Sequence, residues 1–187
     1  ALKSSVWLMD PRPSLPTIVR CTEKAFELSE ATNTPVMMEL RIRACHVTGE
    51  FVARDNKAPT VSRNQRLANP ALHNYDRISH PPSTYAHEKI KVEVRQPAAE
   101  RFIVDHGLNE HLPGERSDLG IIVQGGITNV LMRGLDRLEV EGKVPALVLN
   151  VTHPLVPDQI ADFCKGKRAV LIVEEGAPDY IEQAIHA

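Results

Sequence analysis

Three short apolar runs in the C-terminal part of the chain constrain the fold more than any other feature. They occupy residues 118–124, 144–151 and 168–174, and each is followed by a turn. Short runs rich in Val, Ile and Leu are typical of strands covered on both faces. Between them, apolar residues recur at helical spacing over 127–138 and 157–165. This alternation predicts an α/β fold, with a three-layer domain built on a parallel sheet with right-handed crossovers.

The N-terminal residues predict a smaller ordered unit. A short apolar run at 6–9 precedes the turn Asp10-Pro11-Arg12-Pro13, and a helix is expected from 14–16 to about 31. A strand is then predicted at 36–44, because apolar and polar residues alternate there. Its polar face would carry Glu39, Arg41 and Arg43, which indicates an edge strand or a face turned toward another domain.

The middle of the chain has weaker patterns. Residues 47–83 show no sustained periodicity, so they are either a linker on the surface or an arm that orders against a partner subunit. Residues 84–95 are compatible with helix or strand, and Pro97 is expected to break the chain. A helix is predicted at 98–106 with Gly107 as its C-terminal cap. Pro113-Gly114 marks the boundary before the last domain.

Composition excludes several functional classes. The net charge is −2 and aromatic residues make up only 4%, which argues against a nucleic-acid surface. No apolar run approaches the roughly 20 residues of a membrane span. The three cysteines are scattered without C-x-x-C spacing. We therefore expect a reducing compartment, the cytoplasm, with no disulfide, zinc site or iron–sulfur site in this chain.

Three constellations could carry binding chemistry. The turn after the first run contains Gly125, Gly126 and Asn129, which would suit an anion at a helix N-terminus or simply a tight turn. Glu174 and Glu175 end the last run, and only one of these carboxylates can face a given crevice. Arg41, Arg43 and His46 cluster near the end of the predicted strand 36–44, where arginine suits carboxylate or phosphate. The alternative for either arginine is a surface pair with Glu39.

The remaining histidines show no paired metal spacing, and His153 is better explained by a structural role. From the residues alone, the chain is an α/β protein with no assigned reaction.

Two segments resemble a known enzyme family. Residues 25–49 (AFELSEATNTPVMMELRIRACHVTG) resemble the end of the pyrimidine-binding domain in the alpha subunit of indolepyruvate ferredoxin oxidoreductase. Residues 118–138 (DLGIIVQGGITNVLMRGLDRL) and 169–185 (AVLIVEEGAPDYIEQAI) resemble the next domain of that subunit, which is of the transketolase C-terminal type. The likeness is weakest over 50–115, so the order of two separate matches carries it.

The resemblance implies an oxidoreductase that depends on thiamine diphosphate and oxidatively decarboxylates arylpyruvates such as indolepyruvate. It would form an acyl-CoA from coenzyme A and pass electrons through [4Fe-4S] clusters to ferredoxin. The thiamine-binding domain, its Mg²⁺ motif and the cluster cysteines would lie beyond Ala187. We therefore expect this chain to be an internal fragment that binds no cofactor and is inactive by itself.

The resemblance also implies an organisation. Residues 1–49 would be the tail of the pyrimidine-binding-type domain, 50–115 a linker with helical segments, and 116–187 the transketolase C-terminal-like domain. This segment would contribute scaffold, subunit contact and a contact with coenzyme A, within an oligomer that includes a second subunit or fused domain. Candidate contacts to substrate or cofactor are Arg43, His46, Gly125, Gly126, Asn129 and Glu175, and no catalytic residue or metal ligand is assigned.

One departure leaves the 2-oxo acid open. After Pro35-Val36 the family has arginine followed by small hydroxyl residues, whereas this chain has Glu39, Leu40, Arg41 and Ile42. Two rivals remain. One is a transketolase-like or branched-chain 2-oxo acid dehydrogenase component, and the other is a non-catalytic α/β interaction domain. All these hypotheses require parallel strands in the C-terminal third.

Overall fold

The computed structural model describes residues 5–56, 78–176 and 178–186, with Arg43 described by its backbone only. Most of the predicted linker or arm at 47–83 lies outside these residues. The described strands are β1 (Trp7–Met9), β2 (Val36–Met38), β3 (Glu110–Leu112), β4 (Leu119–Gln124), β5 (Ala146–Leu149), β6 (Val151–His153) and β7 (Ala169–Val173). The described α-helices are α1 (Leu15–Thr32), α2 (Ile42–Cys45), α3 (Ser83–Ile90), α4 (Gln96–Asp105), α5 (Thr128–Arg137), α6 (Pro157–Cys164) and α7 (Tyr180–His186).

The C-terminal sheet confirms the predicted parallel arrangement. Its strand order is β3-β5-β4-β7, and β4 pairs in parallel with both β5 and β7. One face packs against α6 and α7 through Ile122, Leu147, Leu149, Ile160, Phe163 and Ile181. The other face packs against α5 through Val123, Val148 and Leu131. The two cores make this unit a three-layer α/β structure.

An antiparallel strand that the sequence did not reveal closes one edge of this sheet. β3 runs antiparallel to β5, with His111 opposite Leu147. It contains three residues, too few to display a period of two. Because it belongs to the region predicted as linker, the sheet draws on residues before 116. The boundaries at 50 and 116 stay predictions.

The second sheet has the order β2-β1-β6 and joins the N-terminal residues to the C-terminal ones. β1 is parallel to β2 and antiparallel to β6. The run 144–151 was predicted as one strand, and this is wrong. The chain instead leaves the first sheet after Leu149 and enters the second at Val151, with Asn150 between them.

The side chain of Asn150 explains why the chain changes sheets at that residue. Its Nδ2 donates to the Leu108 carbonyl at 2.8 Å and to Glu110 Oε1 at 2.9 Å, and its Oδ1 accepts from the Arg12 amide at 2.8 Å. Its backbone carbonyl accepts from the Asp10 amide at 2.9 Å. Asn150 is buried, so these bonds replace lost water contacts and fix the crossing point.

The prediction of a single strand at 36–44 is also wrong. β2 ends at Met38, and residues 42–45 form the short helix α2. The partner strand β1 is only three residues long, and the turn beginning at Asp10-Pro11 follows it. Proline has no amide to donate, so the ladder cannot continue beyond the bond from the Glu39 amide to the Met9 carbonyl. The alternation over 36–44 therefore does not describe one strand.

Residues 83–105 form one continuous helical stretch, which settles the open choice at 84–95 in favour of helix. The expectation that Pro97 breaks the chain is wrong. A π-helical turn at Lys91–Arg95 precedes Pro97 and joins α3 to α4. Wider turns of this kind relieve the missing hydrogen bond and the ring clash of a proline. Gly107 ends α4 with φ of 53°, as predicted for a capping glycine.

The helix predicted near 14–31 is confirmed as α1. Ser14 is its N-cap, and the Ser14 side chain accepts from the Thr17 amide. Among the described residues, no helix has both the length and the apolar character needed to cross a membrane.

Replacing Asn150 with Ala should destabilise the protein by about 2–4 kcal/mol, because the Leu108 carbonyl and the Arg12 amide lose their buried partner. Chemical denaturation of both proteins measures this difference. Asn129→Ala is the matched control, since exposed Asn129 donates a single bond to the Pro13 carbonyl at 3.0 Å. Equal losses in the two variants would contradict the role of Asn150.

Candidate functional site

A cleft of about 550 Å³ lies where strands from both sheets end. The C-terminal sheet contributes Gln124 from the end of β4 and Glu175 from just after β7. The second sheet contributes His153 from β6, and the turn after β2 contributes Arg41. Parallel strands place ligand-binding groups at their carboxyl ends, so this cleft is the candidate site that the fold favours.

Arg41 is the central charged group of the cleft. Its Nε lies 3.3 Å from Asp10 Oδ2, its Nη2 lies 3.4 Å from Glu39 Oε1, and its Nη1 pairs with Glu175 Oε2. Only 15% of the Arg41 side chain is exposed. The guanidinium therefore links the end of β1, the end of β2 and the end of β7 through one planar fork of donors.

Burial and neighbouring charges shift the pKa values of Arg41 and Asp10. Burial lowers the pKa of Arg41, but Asp10, Glu39 and Glu175 outweigh it and raise the pKa overall. Burial raises the pKa of Asp10 from 3.8 to about 6, although the nearby Arg41 opposes the shift. Asp10 Oδ1 accepts no hydrogen bond from any residue that the structure describes. Asp10 is fully buried, so its charged form is disfavoured even with Arg41 beside it.

The turn containing Gly125 and Gly126 packs directly on Asp10. A Cβ atom on Gly125 would lie 1.9 Å from the Asp10 carbonyl oxygen, and one on Gly126 would lie 2.2 Å from Asp10 Oδ1. The protein's own carboxylate thus occupies the side of the turn where an anion was expected. Both glycines are needed for this approach, whereas their contact with an external ligand stays a prediction.

The two adjacent acids after β7 have different roles, as expected from their opposite orientations. Glu174 accepts hydrogen bonds from the Ile181 amide at 3.0 Å and the Glu182 amide at 3.2 Å, so it caps α7. The Glu175 carboxylate pairs with Arg41, and its amide donates to Gln124 Oε1 at 3.1 Å. Glu174 is therefore structural, and Glu175 is the acid that closes the cleft.

The other predicted residues are not brought together. Exposed His46 follows α2, and Arg43 lies within α2, its side chain outside the described residues. Asn129 is exposed in α5 and holds the Pro13 carbonyl. Within the described residues, Glu175 is the one predicted contact residue that lines the cleft.

Sequence reasoning missed Asp10 and underrated Arg41. The interpretation of Arg41 as a partner of Glu39 is correct, but its more buried partner is Asp10. An acid followed by proline at the end of a short apolar run was the available signal, since such residues lie at a strand's carboxyl end. His153 is half-buried, and burial lowers its pKa, which favours the neutral imidazole.

The cleft provides carboxylate acceptors, one shared guanidinium and a neutral imidazole. Among the described residues, no group of three or more His, Cys, Asp or Glu side chains could hold a metal ion. The three cysteines are free. We therefore assign no metal-dependent step to these residues.

Comparison with known proteins identifies the chain's relatives. No family model matches it. It is 30% identical over 171 residues to the indolepyruvate oxidoreductase subunit IorA of Methanothermobacter marburgensis, covering 90% of this chain and 26% of the relative. It is 28% identical over 165 residues to the same subunit of Methanothermobacter thermautotrophicus, and this match covers 82% of this chain and 24% of the relative. The chain thus spans about a quarter of the length of these relatives.

A solved structure shares the fold. The 2-oxoglutarate:ferredoxin oxidoreductase from Magnetococcus marinus, solved with 2-oxoglutarate, coenzyme A and succinyl-CoA bound, matches with a TM-score of 0.56 and 15% identity. The match covers 96% of this chain and 36% of that chain.

The solved structure thus shows a shared fold, and the curated relatives show the sequence relationship. The recognition from sequence is confirmed: the chain is homologous to a segment of the indolepyruvate oxidoreductase subunit IorA.

Replacing Gly126 or Gly125 with Ala should destabilise the protein by roughly 1–3 kcal/mol, because the added methyl group collides with Asp10. Gly134→Ala is the matched control in α5, where a Cβ meets nothing within 4 Å. Since alanine favours helix, that variant should gain roughly 0.5–1 kcal/mol. Thermal unfolding of the three variants checks both the predicted loss of stability at Gly125 and Gly126 and the predicted gain at Gly134. A neutral Gly126→Ala would mean that the turn does not pack on Asp10.

The Asp10 carboxyl should make stability depend on pH. Its pKa is about 6 when folded against 3.8 ordinarily, so the folded state holds the proton more tightly. Its contribution is greatest below about pH 4 and is lost as the pH rises to about 6, by roughly 2–3 kcal/mol. Denaturation curves of the native protein and of the Asp10→Asn variant across this range isolate the effect. The other carboxyl groups are present in both proteins, so their contributions cancel in the difference in unfolding free energy. A constant difference between the two proteins would refute the shift.

Proposed function

We propose that this chain is a segment of a thiamine diphosphate-dependent 2-oxo acid:ferredoxin oxidoreductase of the indolepyruvate type. The whole enzyme would decarboxylate an arylpyruvate, transfer the acyl group to coenzyme A and reduce ferredoxin through iron–sulfur clusters. The homology to the IorA subunit over most of the chain supports this proposal. The fold shared with a 2-oxoglutarate enzyme is compatible with it.

The segment's role in that enzyme is to hold two domains together beside the active site. In this proposal, β1, α1 and β2 are the tail of the pyrimidine-binding-type domain, and the sheet of β4, β5 and β7 belongs to a transketolase C-terminal-like domain. The single observation that carries the role is the linkage of Arg41 to Asp10, Glu39 and Glu175, because it joins strand ends of both sheets.

A contact with coenzyme A is the second part of the proposal. Glu39, Glu174 and Glu175 line the cleft together with Arg41, so the net charge of the cleft is negative. Negative charge repels the phosphates of coenzyme A and accepts hydrogen bonds from amide groups. The uncharged pantetheine arm is therefore the part of coenzyme A that suits this cleft.

The reactive groups would come from outside the described residues. Thiamine diphosphate supplies a carbanion equivalent and an electron sink when bound, and the protein supplies position and charge control. No described residue is assigned to acid–base or covalent chemistry. Arg41 instead acts as a positioning residue, since it holds the strand ends around the cleft.

The decisive experiment uses the full reading frame that contains this chain, purified with its partner subunit. Reduction of ferredoxin should require coenzyme A and should be faster with indolepyruvate than with 2-oxoglutarate. If ferredoxin is reduced with 2-oxoglutarate but not with indolepyruvate, the substrate is 2-oxoglutarate and the assignment of indolepyruvate is wrong. Turnover of an acyl acceptor without ferredoxin would favour the dehydrogenase-like rival, and no turnover with any 2-oxo acid would favour a non-catalytic domain.

Arg41→Met in the same enzyme should lower ferredoxin reduction by about tenfold or more, because the two strand ends lose their shared partner. Arg41→Lys should retain part of the activity, since it keeps the charge but not the fork. Arg133→Met, on the exposed face of α5, is the matched control and should leave the rate unchanged. Full activity of Arg41→Met would contradict the positioning role. Calorimetry with coenzyme A tests the binding contact separately.

A further inference from the structure

A second groove, separate from the cleft, lies between α4 and α6 and crosses β3. Its volume is about 980 Å³, at the upper end of the range for small-molecule pockets. Its apolar lining comes from α4, β3 and α6 with the residue before it: Val104, which is exposed, Leu112, and buried Val156 and Phe163. Several prolines extend this apolar surface. No other described strand pairs with the outer side of β3.

The rim of this groove is predominantly acidic. Four carboxylates line it, from Glu100, Asp105, Asp158 and Asp162, against two cations, from Arg101 and Lys167. Lys167 is already engaged, because its Nζ lies 4.9 Å from the centre of the Phe163 ring. The carboxylates therefore exceed the cations that could neutralise them.

Two electrostatic features of the three aspartates are unfavourable, although Asp158 itself lies in the first turn of α6, where the helix dipole favours an acid. Asp158 and Asp162 are four residues apart on α6, where like charges repel. Asp105 is the last residue of α4, at the negative end of the helix dipole. None of these three forms an ion pair with another residue that the structure describes. An external cation would relieve the repulsion between Asp158 and Asp162 and the unfavourable position of Asp105.

The occupant must supply both positive charge and apolar surface. A metal ion does not meet this requirement, since the described residues contain no group that could hold one and an ion would leave the apolar floor uncovered. Coenzyme A and other polyanions are disfavoured by the rim charge. A polypeptide with basic and apolar side chains satisfies both conditions.

We propose that the groove between α4 and α6 binds a basic, partly apolar segment of a partner protein. The apolar side chains of that segment would cover exposed Val104 and partly exposed Leu112, and its lysine or arginine side chains would pair with Asp105, Asp158 and Asp162. This inference goes beyond the proposed enzyme function and does not depend on turnover.

The test uses the full-length protein and two short fluorescent peptides. One contains lysine, leucine and serine, and the other has glutamate in place of each lysine. Fluorescence anisotropy should detect binding of the lysine peptide alone, and added salt should weaken it. The double variant Asp158→Asn/Asp162→Asn should bind the lysine peptide about tenfold more weakly.

Asp136→Asn/Glu141→Gln is the matched control, because these exposed carboxylates lie outside the groove. It should bind the lysine peptide as tightly as the native protein does. Equal binding of the two peptides, no binding of the lysine peptide, or equal losses in the two double variants would each overturn the proposal. A catalytic assay on the Asp158/Asp162 variant separates this inference from the enzyme function, because peptide binding can fail while turnover remains.

Discussion

The contact on which the rest of the structure depends is the buried carboxylate of Asp10 between the Arg41 guanidinium and the Gly125–Gly126 turn. Burying a charged carboxylate costs solvation free energy, and the Arg41 guanidinium at 3.3 Å compensates for that cost only in part. The turn can approach Asp10 because neither glycine has a side chain. This one contact brings the N-terminal sheet against the start of α5 and fixes where Arg41 points.

The consequences reach the candidate site. Because Arg41 is held by Asp10 at one end of its fork, its other nitrogens are positioned for Glu39 and Glu175. Glu174 cannot take the place of Glu175 as a partner of Arg41, because the Glu174 carboxylate caps α7. The cleft therefore has a defined charge pattern that originates in the packing of two sheets. A site of this kind is suited to position ligands, while the reactive groups come from elsewhere.

Several features of the fold and site were predictable. The three apolar runs specified the parallel strands β4, β5 and β7. Burial on both faces explains the continuous apolar sequence of β4 and β5, whereas β7 lies at the sheet edge and is partly exposed. Glu175 was identified as a candidate from its position at a strand's end. Asp10 was not, since an Asp-Pro pair is also an ordinary turn signal. Nothing in the local pattern separates a buried Asp10 from a solvated one.

The errors have a common physical origin. The runs at 36–44 and 144–151 each have the composition of one strand, yet each is divided. The first stops because β1 offers no further partner before Pro11, and the second changes sheets where Asn150 bonds to Leu108, Glu110 and Arg12. Pro97 stays within a helix because a π-helical turn precedes it.

The sequence by itself determined the α/β class, the direction of the C-terminal strands, most of the helices and the relationship to indolepyruvate oxidoreductases. The fold class, the strand direction and the helices follow from periodicity and apolar content, which are local properties of the chain. The relationship rests instead on the resemblance of residues 25–49, 118–138 and 169–185 to that family. Only the tertiary structure decided that β3 and β6 close sheet edges, that Asn150 marks the crossing, and that Asp10, Arg41 and Glu175 meet. Those features depend on partners that are distant in sequence, with separations of 31 residues for Arg41 and Asp10 and 134 residues for Arg41 and Glu175.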